Sequence, residues 1–314
     1  MTAPRAVANG SPGLLLPRLG VTAAVIMWGL SFVATKAVVR ELTPADIVFG
    51  RALLGAATLL VLLALRRRPL GAPRAAWGML AVMGFLGVFL HPMIQAHGLI
   101  LTSATNCGWL VGLIPIWSAL LAALFLRERF GPLKIAGLAL GFLGAALVIT
   151  RGEFSARTLA VPSARGDLLI LASSVNWAVY TILGRGTLQR LGPSRATLGA
   201  MLAGLLLATP FFLGGAGWRE YAALSGSGWR AMLFLGIGCS GLGYFFWFGA
   251  LERIEVSRVA AFLYAEPLVT LAAAAILLRE RATALTLVGG VIVLVGVMLV
   301  QRAPAGVTRP AARK

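Results

Sequence analysis

The chain has 314 residues, of which 59% are hydrophobic and only 12% charged, with a mean hydropathy of +0.89. A soluble domain is about half apolar and about a quarter charged, so this composition excludes a soluble core and makes lipid the solvent. The net charge of +18 is of a size that nucleic-acid binders reach, but the basic residues punctuate apolar runs instead of forming one surface, which argues against nucleic acid.

Ten runs reach the roughly 20 apolar residues that cross a hydrocarbon core of about 30 Å. They cover 19–39, 46–65, 77–99, 103–125, 133–150, 167–184, 195–213, 230–251, 257–278 and 284–301. Arg5 and Arg18 precede the first run, yet its length and the lack of a small-residue cleavage site read as a retained span, not a signal peptide. Trp28, Ser31 and Phe32 share one face of it. Lys36 and Arg51 fall near the span ends on the same side of the membrane, where long basic side chains snorkel to the headgroups; a gate at that mouth is the alternative. In the third span His91-Pro92 predicts a break, and His91 and Gln95, four apart, share a face. The fourth carries Asn106 and Trp109. Pro115 there, like Pro267 in the ninth, predicts a kink that frees a carbonyl, of Val111 and Leu263 respectively.

Ser173, Trp177 and Tyr180 line one face of the sixth span, and Ser240, Tyr244 and Trp247 one face of the eighth. A lipid-facing stripe is purely apolar and an interfacial belt sits at span ends. These stripes mix rings with hydroxyls well inside, which describes either helix packing or the wall of a small-molecule pocket. Glu266 sits near the middle of the ninth span, where an acid is expensive. It could bind a substrate amine or exchange a proton; the plain alternative is a hydrogen-bonded group that packs helices. Cys107 and Cys239 read as small packing residues, and glycine-rich runs such as "GLALGFLGAALV" as close helix contacts.

The chain also resembles itself. At an offset of 152, Gly84 meets Gly236, Pro115 meets Pro267, Arg127-Glu128-Arg129 meets Arg279-Glu280-Arg281, Gly137 meets Gly289 and Gly144 meets Gly296; nearer the start, at 149, Trp28 meets Trp177 and Lys36 meets Arg185. The expected architecture is therefore an all-α membrane protein of ten transmembrane helices in two five-helix repeats, 19–150 and 166–302, joined by 151–165. Five is odd, so the copies are inverted, an arrangement that transporters use with the substrate near the midplane. Each Arg-Glu-Arg reads locally as a helix end in solvent, the information lying in the paired placement. With the N-terminus inside, 18 basic residues fall in inner segments and 8 in outer ones, which predicts both termini in the cytoplasm.

"MWGLSFVATK" (27–36), "FGRALLGAATLL" (49–60), "LIPIWSALLAALFLRER" (113–129), "GDLLILASSVNWAVYTILGR" (166–185) and "AAFLYAEPLVTLAAAAILLRER" (260–281) together resemble the drug/metabolite transporter superfamily, in particular its EamA-type ten-helix exporters. The resemblance implies cytoplasmic termini, an inner-membrane location and export of small metabolites, often amino acids. The expected substrate-binding residues are Trp28, His91, Gln95, Trp109, Trp177, Tyr180, Tyr244 and Glu266. The expected partners are the lipid bilayer, a small-molecule substrate and, through Glu266, protons. The tryptophan-rich spans favour aromatic or other apolar amino acids; nucleosides, sugars and hydrophobic drugs are the alternatives. G-x-x-x-x-G-K-[ST] cannot occur, because none of the three lysines is followed by Ser or Thr. Neither a metal cluster nor a serine nucleophile motif stands out, so no cofactor and no enzyme activity are expected. A lipid enzyme would need clustered acids or a nucleophile; a membrane scaffold would need no inverted copies.

Overall fold

The computed structural model describes residues 15–126, 130–151, 153, 161–251, 253–254, 259 and 262–302. Arg127-Glu128-Arg129, most of the 151–165 connection and both termini lie outside the described residues.

The first copy comprises α1 (Leu15–Val38), α2 (Pro44–Leu65), a composite third span, α5 (Ala104–Val111), α6 (Ile114–Leu126) and α7 (Pro132–Thr150). The third span runs through α3 (Trp77–Met83), a π-helical segment (Gly84–Leu90) and α4 (His91–Leu101). The second copy comprises α8 (Pro162–Leu191), α9 (Pro193–Gly214), the short α10 (Gly217–Ala223), α11 (Gly226–Leu233), a second π segment (Phe234–Gly243), α12 (Tyr244–Leu251), α13 (Glu266–Leu277) and α14 (Ala284–Arg302). Among the described residues nine helical stretches are long and apolar enough to cross a membrane, and Phe262–Leu277 is a shorter apolar one. The protein is an all-α membrane protein built as two inverted five-helix repeats.

Local sequence sets the helix ends. Pro44, Pro132, Pro162 and Pro193 stand in the first turns of their helices, where a missing N–H costs nothing. Thr43, Ser103 and Ser225 are N-caps, each hydroxyl accepting the N–H three residues on. Arg67, Arg151 and Arg279 close helices with φ of 53°, 53° and 54°, the left-handed conformation that more often falls to glycine.

The copies interlock crosswise. α1 packs on the second π segment, α12 and α13; its mate α8 packs on α4, α5 and α6. α2 packs on the second π segment, and its mate α9 on the first. The last helices of each copy, α7 and α14, cross at glycines. A Cβ on Gly144 would stand 2.5 Å from the Gly289 carbonyl oxygen, and one on Gly137 2.7 Å from that of Gly296. Only glycine allows this approach.

Three expectations change. Pro115 and Pro267 do not kink continuous helices. The fourth span stops at Val111 and restarts at Ile114, and α13 starts at Glu266 after the 3-10 turn Phe262–Ala265. A residue without an N–H, whose ring crowds the carbonyl four positions back, is best placed in a first helical turn. His91-Pro92 is not a break either. The chain widens into the π segment, where the His91 N–H reaches Leu86 O, and continues into α4. Lys36 does not snorkel outward. Its Nζ donates to the carbonyls of Leu99 and Thr102, 2.5 Å each, so a cation sits at the negative C-terminus of α4.

Candidate substrate site between the two repeats

Two aromatic clusters face each other across the repeats, each built on the tryptophan of a first helix. Trp28 of α1 lies 5.5 Å from Tyr244 and 5.2 Å from Trp247, ring centre to ring centre, and donates through Nε1 to Cys239 O at 3.1 Å. Trp177 of α8 lies 4.7 Å from His91 and 4.9 Å from Tyr180. Each tryptophan thus packs on the third span of the opposite copy. Both third spans are π-helical at this level, a form found mostly as local bulges at functional sites. Both also lend a carbonyl to the opposite first helix: Leu86 O accepts from Asn176 Nδ2 at 2.8 Å, and Cys239 O from Trp28. His91 Nδ1 donates to Ser173 O at 3.1 Å. That bond fixes the proton on Nδ1 and leaves Nε2 for another partner.

Charge lies between the clusters. Arg51 of α2 turns into the bundle, its Nε 3.4 Å from Ser240 Oγ, and its guanidinium is within electrostatic reach of His91, Cys239 and Tyr244. Glu266 opens α13 next to Trp28: a Cβ on Gly29 would stand 3.0 Å from Glu266 O. Its carboxyl group reaches Cys239 and Tyr244 electrostatically. Trp28, Arg51, His91, Gln95, Trp177, Tyr244 and Glu266 are all half-buried. For groups this deep in the bundle, such exposure marks an internal crevice.

At one end of the bundle carboxylates tie the two copies together. At the end holding the 39–43 connection, Glu280 caps α5, taking the N–H groups of Ala104 and Thr105 at 3.0 and 3.1 Å and the Thr105 hydroxyl at 3.0 Å. Asp167, fully buried, accepts from Thr102 Oγ1 at 2.5 Å and from Asn106 Nδ2 at 3.0 Å. Glu41 accepts from the Ser225 N–H and hydroxyl, 2.8 Å each, and Glu220 from the Thr43 N–H at 2.8 Å. Every one of these bonds joins one copy to the other. Burial, with the Asp46 and Glu220 carboxylates nearby, pushes the Tyr221 phenol above its ordinary range, which keeps it a donor to Asp46 O at 2.9 Å. At the opposite end, around the 66–76 connection, the Arg195 guanidinium donates to Gly71 O.

The structure therefore brings Trp28, Tyr244 and Glu266 together, and His91, Trp177 and Tyr180 together. Gln95 stands one turn beyond His91 on α4, half-buried. Trp109 is set apart from the expected group. It is 1% exposed within the main apolar core, a Cβ on Gly290 would stand 2.3 Å from its ring, and its Nε1 is buried without a partner. The reason is helical phase: the face of α5 that carries Trp109 is the one pressed on α14. Sequence reasoning left Arg51 between snorkelling and a gate at the mouth, not in the site, and missed Asn176; an amide beside a mid-span tryptophan was the available signal for the latter. It also assigned no role to the charge of Glu280, which caps a helix of the other copy.

Known proteins agree with this architecture. A protein of Archaeoglobus fulgidus named as an uncharacterized transporter is 32% identical over 279 residues, 88% of this chain and 93% of its own length. A protein of Streptantibioticus cattleyicolor named as a probable terminal-alkyne amino-acid exporter is 29% identical, over 91% of this chain and 94% of its own. A solved crystal structure superposes with a TM-score of 0.64 at 21% identity, over 90% of this chain and 96% of that one, a likeness of fold alone. The pattern of the EamA-like transporter family matches residues 17–150 and again 164–302, and with both copies matched the chain belongs to that family of membrane transporters.

Proposed function

We propose that the protein exports small amphipathic metabolites by alternating access, with amino acids as the substrate class and aromatic or other apolar ones first among them. One observation carries the reading: two aromatic clusters, related by the repeat, flank the half-buried Glu266 deep in the bundle. Trp28, Trp177, Tyr180 and Tyr244 are its apolar walls. His91, Gln95 and Glu266 are its polar handles, with Glu266 taking the substrate amine or a proton. The name of the Streptantibioticus cattleyicolor relative supports the substrate class.

In this reading the two copies, 19–150 and 166–302, exchange conformations. The carboxylate ties close the 39–43 end and leave the site approachable from the other; breaking them while the mated contacts form reverses the access. The charge split supports an inner-membrane protein with cytoplasmic termini, which makes the 39–43 end the outer one. The chain moves its substrate and leaves it chemically unchanged.

The test is counterflow of labelled phenylalanine, tryptophan, leucine and methionine in proteoliposomes. Uptake of at least one above empty vesicles is expected, and Glu266→Gln should reduce it and flatten its pH dependence. Absence of counterflow for all four, with folded protein in the bilayer, overturns the amino-acid reading.

A further inference from the structure

Arg51 is costly where it stands. Seven residues into α2, it lies about 10 Å below the start of that helix at 1.5 Å per residue. Among the described residues its one hydrogen bond, to the Ser240 hydroxyl, is long at 3.4 Å, although a guanidinium carries five donors. Among the described residues no carboxylate forms an ion pair with it. Glu266 mirrors this: among the described residues no donor bonds its carboxylate. Two ionisable groups of opposite sign, neither directly paired among the described residues and each within electrostatic reach of the same Tyr244 ring and the same Cys239, stand where buried charges are ordinarily paired. The wall beside them is aromatic, with Trp28 edge-on to Tyr244 and tilted against Trp247.

We propose that Arg51 is the specificity-determining cation of the site: it binds the carboxylate of a zwitterionic substrate whose ammonium group is held by Glu266 and whose side chain lies on the Trp28 and Trp247 rings. The proposal rests on the amino-acid reading above and sharpens it to the free α-amino acid. A planar guanidinium fork matches a carboxylate through two parallel bonds, and Ser240 fixes the side chain from one side, leaving the Nη groups for the ligand. The bound zwitterion compensates both charges at once, so an amine without a carboxylate, or an acid without an amine, leaves one protein charge unpaired.

Three probes share one side chain: phenylalanine, phenethylamine and 3-phenylpropionate. Wild-type protein in proteoliposomes should carry phenylalanine at least about tenfold faster than either of the others, the scale of one charged hydrogen bond. Arg51→Gln should abolish the preference for phenylalanine over phenethylamine; Glu266→Gln should abolish that over 3-phenylpropionate. This crossed pattern is the signature, since a merely structural arginine would lower all fluxes together. Arg51→Lys keeps the charge without the fork and should give an intermediate preference, which tests the idea even if the glutamine variant does not fold. Unchanged probe ratios in all three variants, with phenylalanine still carried, overturn the zwitterion site and leave the export reading intact. If wild-type protein carries no amino acid, both fall.

Discussion

Replacing Gly144 by Ala adds one methyl group at the crossing of α7 and α14, and the geometry sets its cost. The new Cβ would lie 2.5 Å from Gly289 O, 2.7 Å from Val293 N and 2.9 Å from Val293 Cγ2. The two nearest atoms are backbone, so no side chain can swing away. Ordinary contact begins near 3.4 Å, so the helices must part by about 1 Å. Overpacking of this kind costs about 1–3 kcal/mol, against about 1 kcal/mol gained from the helix propensity of Ala over Gly. The net is a loss of up to about 2 kcal/mol. Gly186 is the control, because it is exposed on α8 and no described residue lies within 4 Å of its Cβ position; Gly186→Ala should raise stability by up to about 1 kcal/mol. Thermal unfolding in detergent, followed by tryptophan fluorescence, should therefore shift in opposite directions. The double variant Gly144→Ala/Gly289→Ala should lose less than the sum of its singles, since helices already parted by one methyl admit the second. Equal shifts for Gly144→Ala and Gly186→Ala would refute the claim that the two helices touch backbone to backbone.

Glu280→Gln leaves one acceptor oxygen for three donors and removes the charge, at about 1–2 kcal/mol. In a Cys239→Ser background, the buried Cys107, one turn into α5, should then react with a membrane-impermeant maleimide about tenfold faster, and an unchanged rate would show that the tie does not hold that end shut. Trp28→Ala and Trp177→Ala should change the ratio of substrates carried. Trp109→Ala should instead lower stability by about 3–5 kcal/mol on the scale of soluble cores while the ratio stays fixed, and measuring yield and substrate profile together separates the two roles. A reporter active only in the cytoplasm should work when fused after Lys314 and fail when inserted within 151–166; the reverse pattern contradicts the orientation.

Much of the fold was written in hydropathy and in the internal repeat. An apolar run of about 20 residues has one outcome in lipid, and Gly137, Gly144, Gly289 and Gly296 recur at fixed spacing because one crossing uses all four. The aromatic stripes were legible because a ring three or four residues from a hydroxyl shares its helix face. What stayed hidden depended on distant partners. Periodicity places Arg51 on a face but does not say whether a long side chain climbs to the headgroups or reaches across to Ser240, 189 positions away. Trp109 looked equivalent to Trp28 until Gly290 showed which neighbour its face meets. The π segments leave the hydropathy pattern unchanged; Pro92 and the run of Gly236, Gly238, Gly241 and Gly243 were their sequence traces.

The two π segments have a mechanical consequence. A π turn holds a residue more than the α-helix around it, and that surplus can pass along a helix by exchanging hydrogen-bond partners one step at a time. At 3.6 residues per turn, each residue that the surplus passes turns by about 100° about the helix axis, while the helix on either side keeps its register. His91 begins the helix after one π segment and Tyr244 the helix after the other. Passing the surplus residue across either junction would swing that ring a quarter-turn or more out of the crevice while both ends of the span stayed anchored in the bilayer. Asn176 and Trp28, each holding one π carbonyl, sit where a clutch would have to engage.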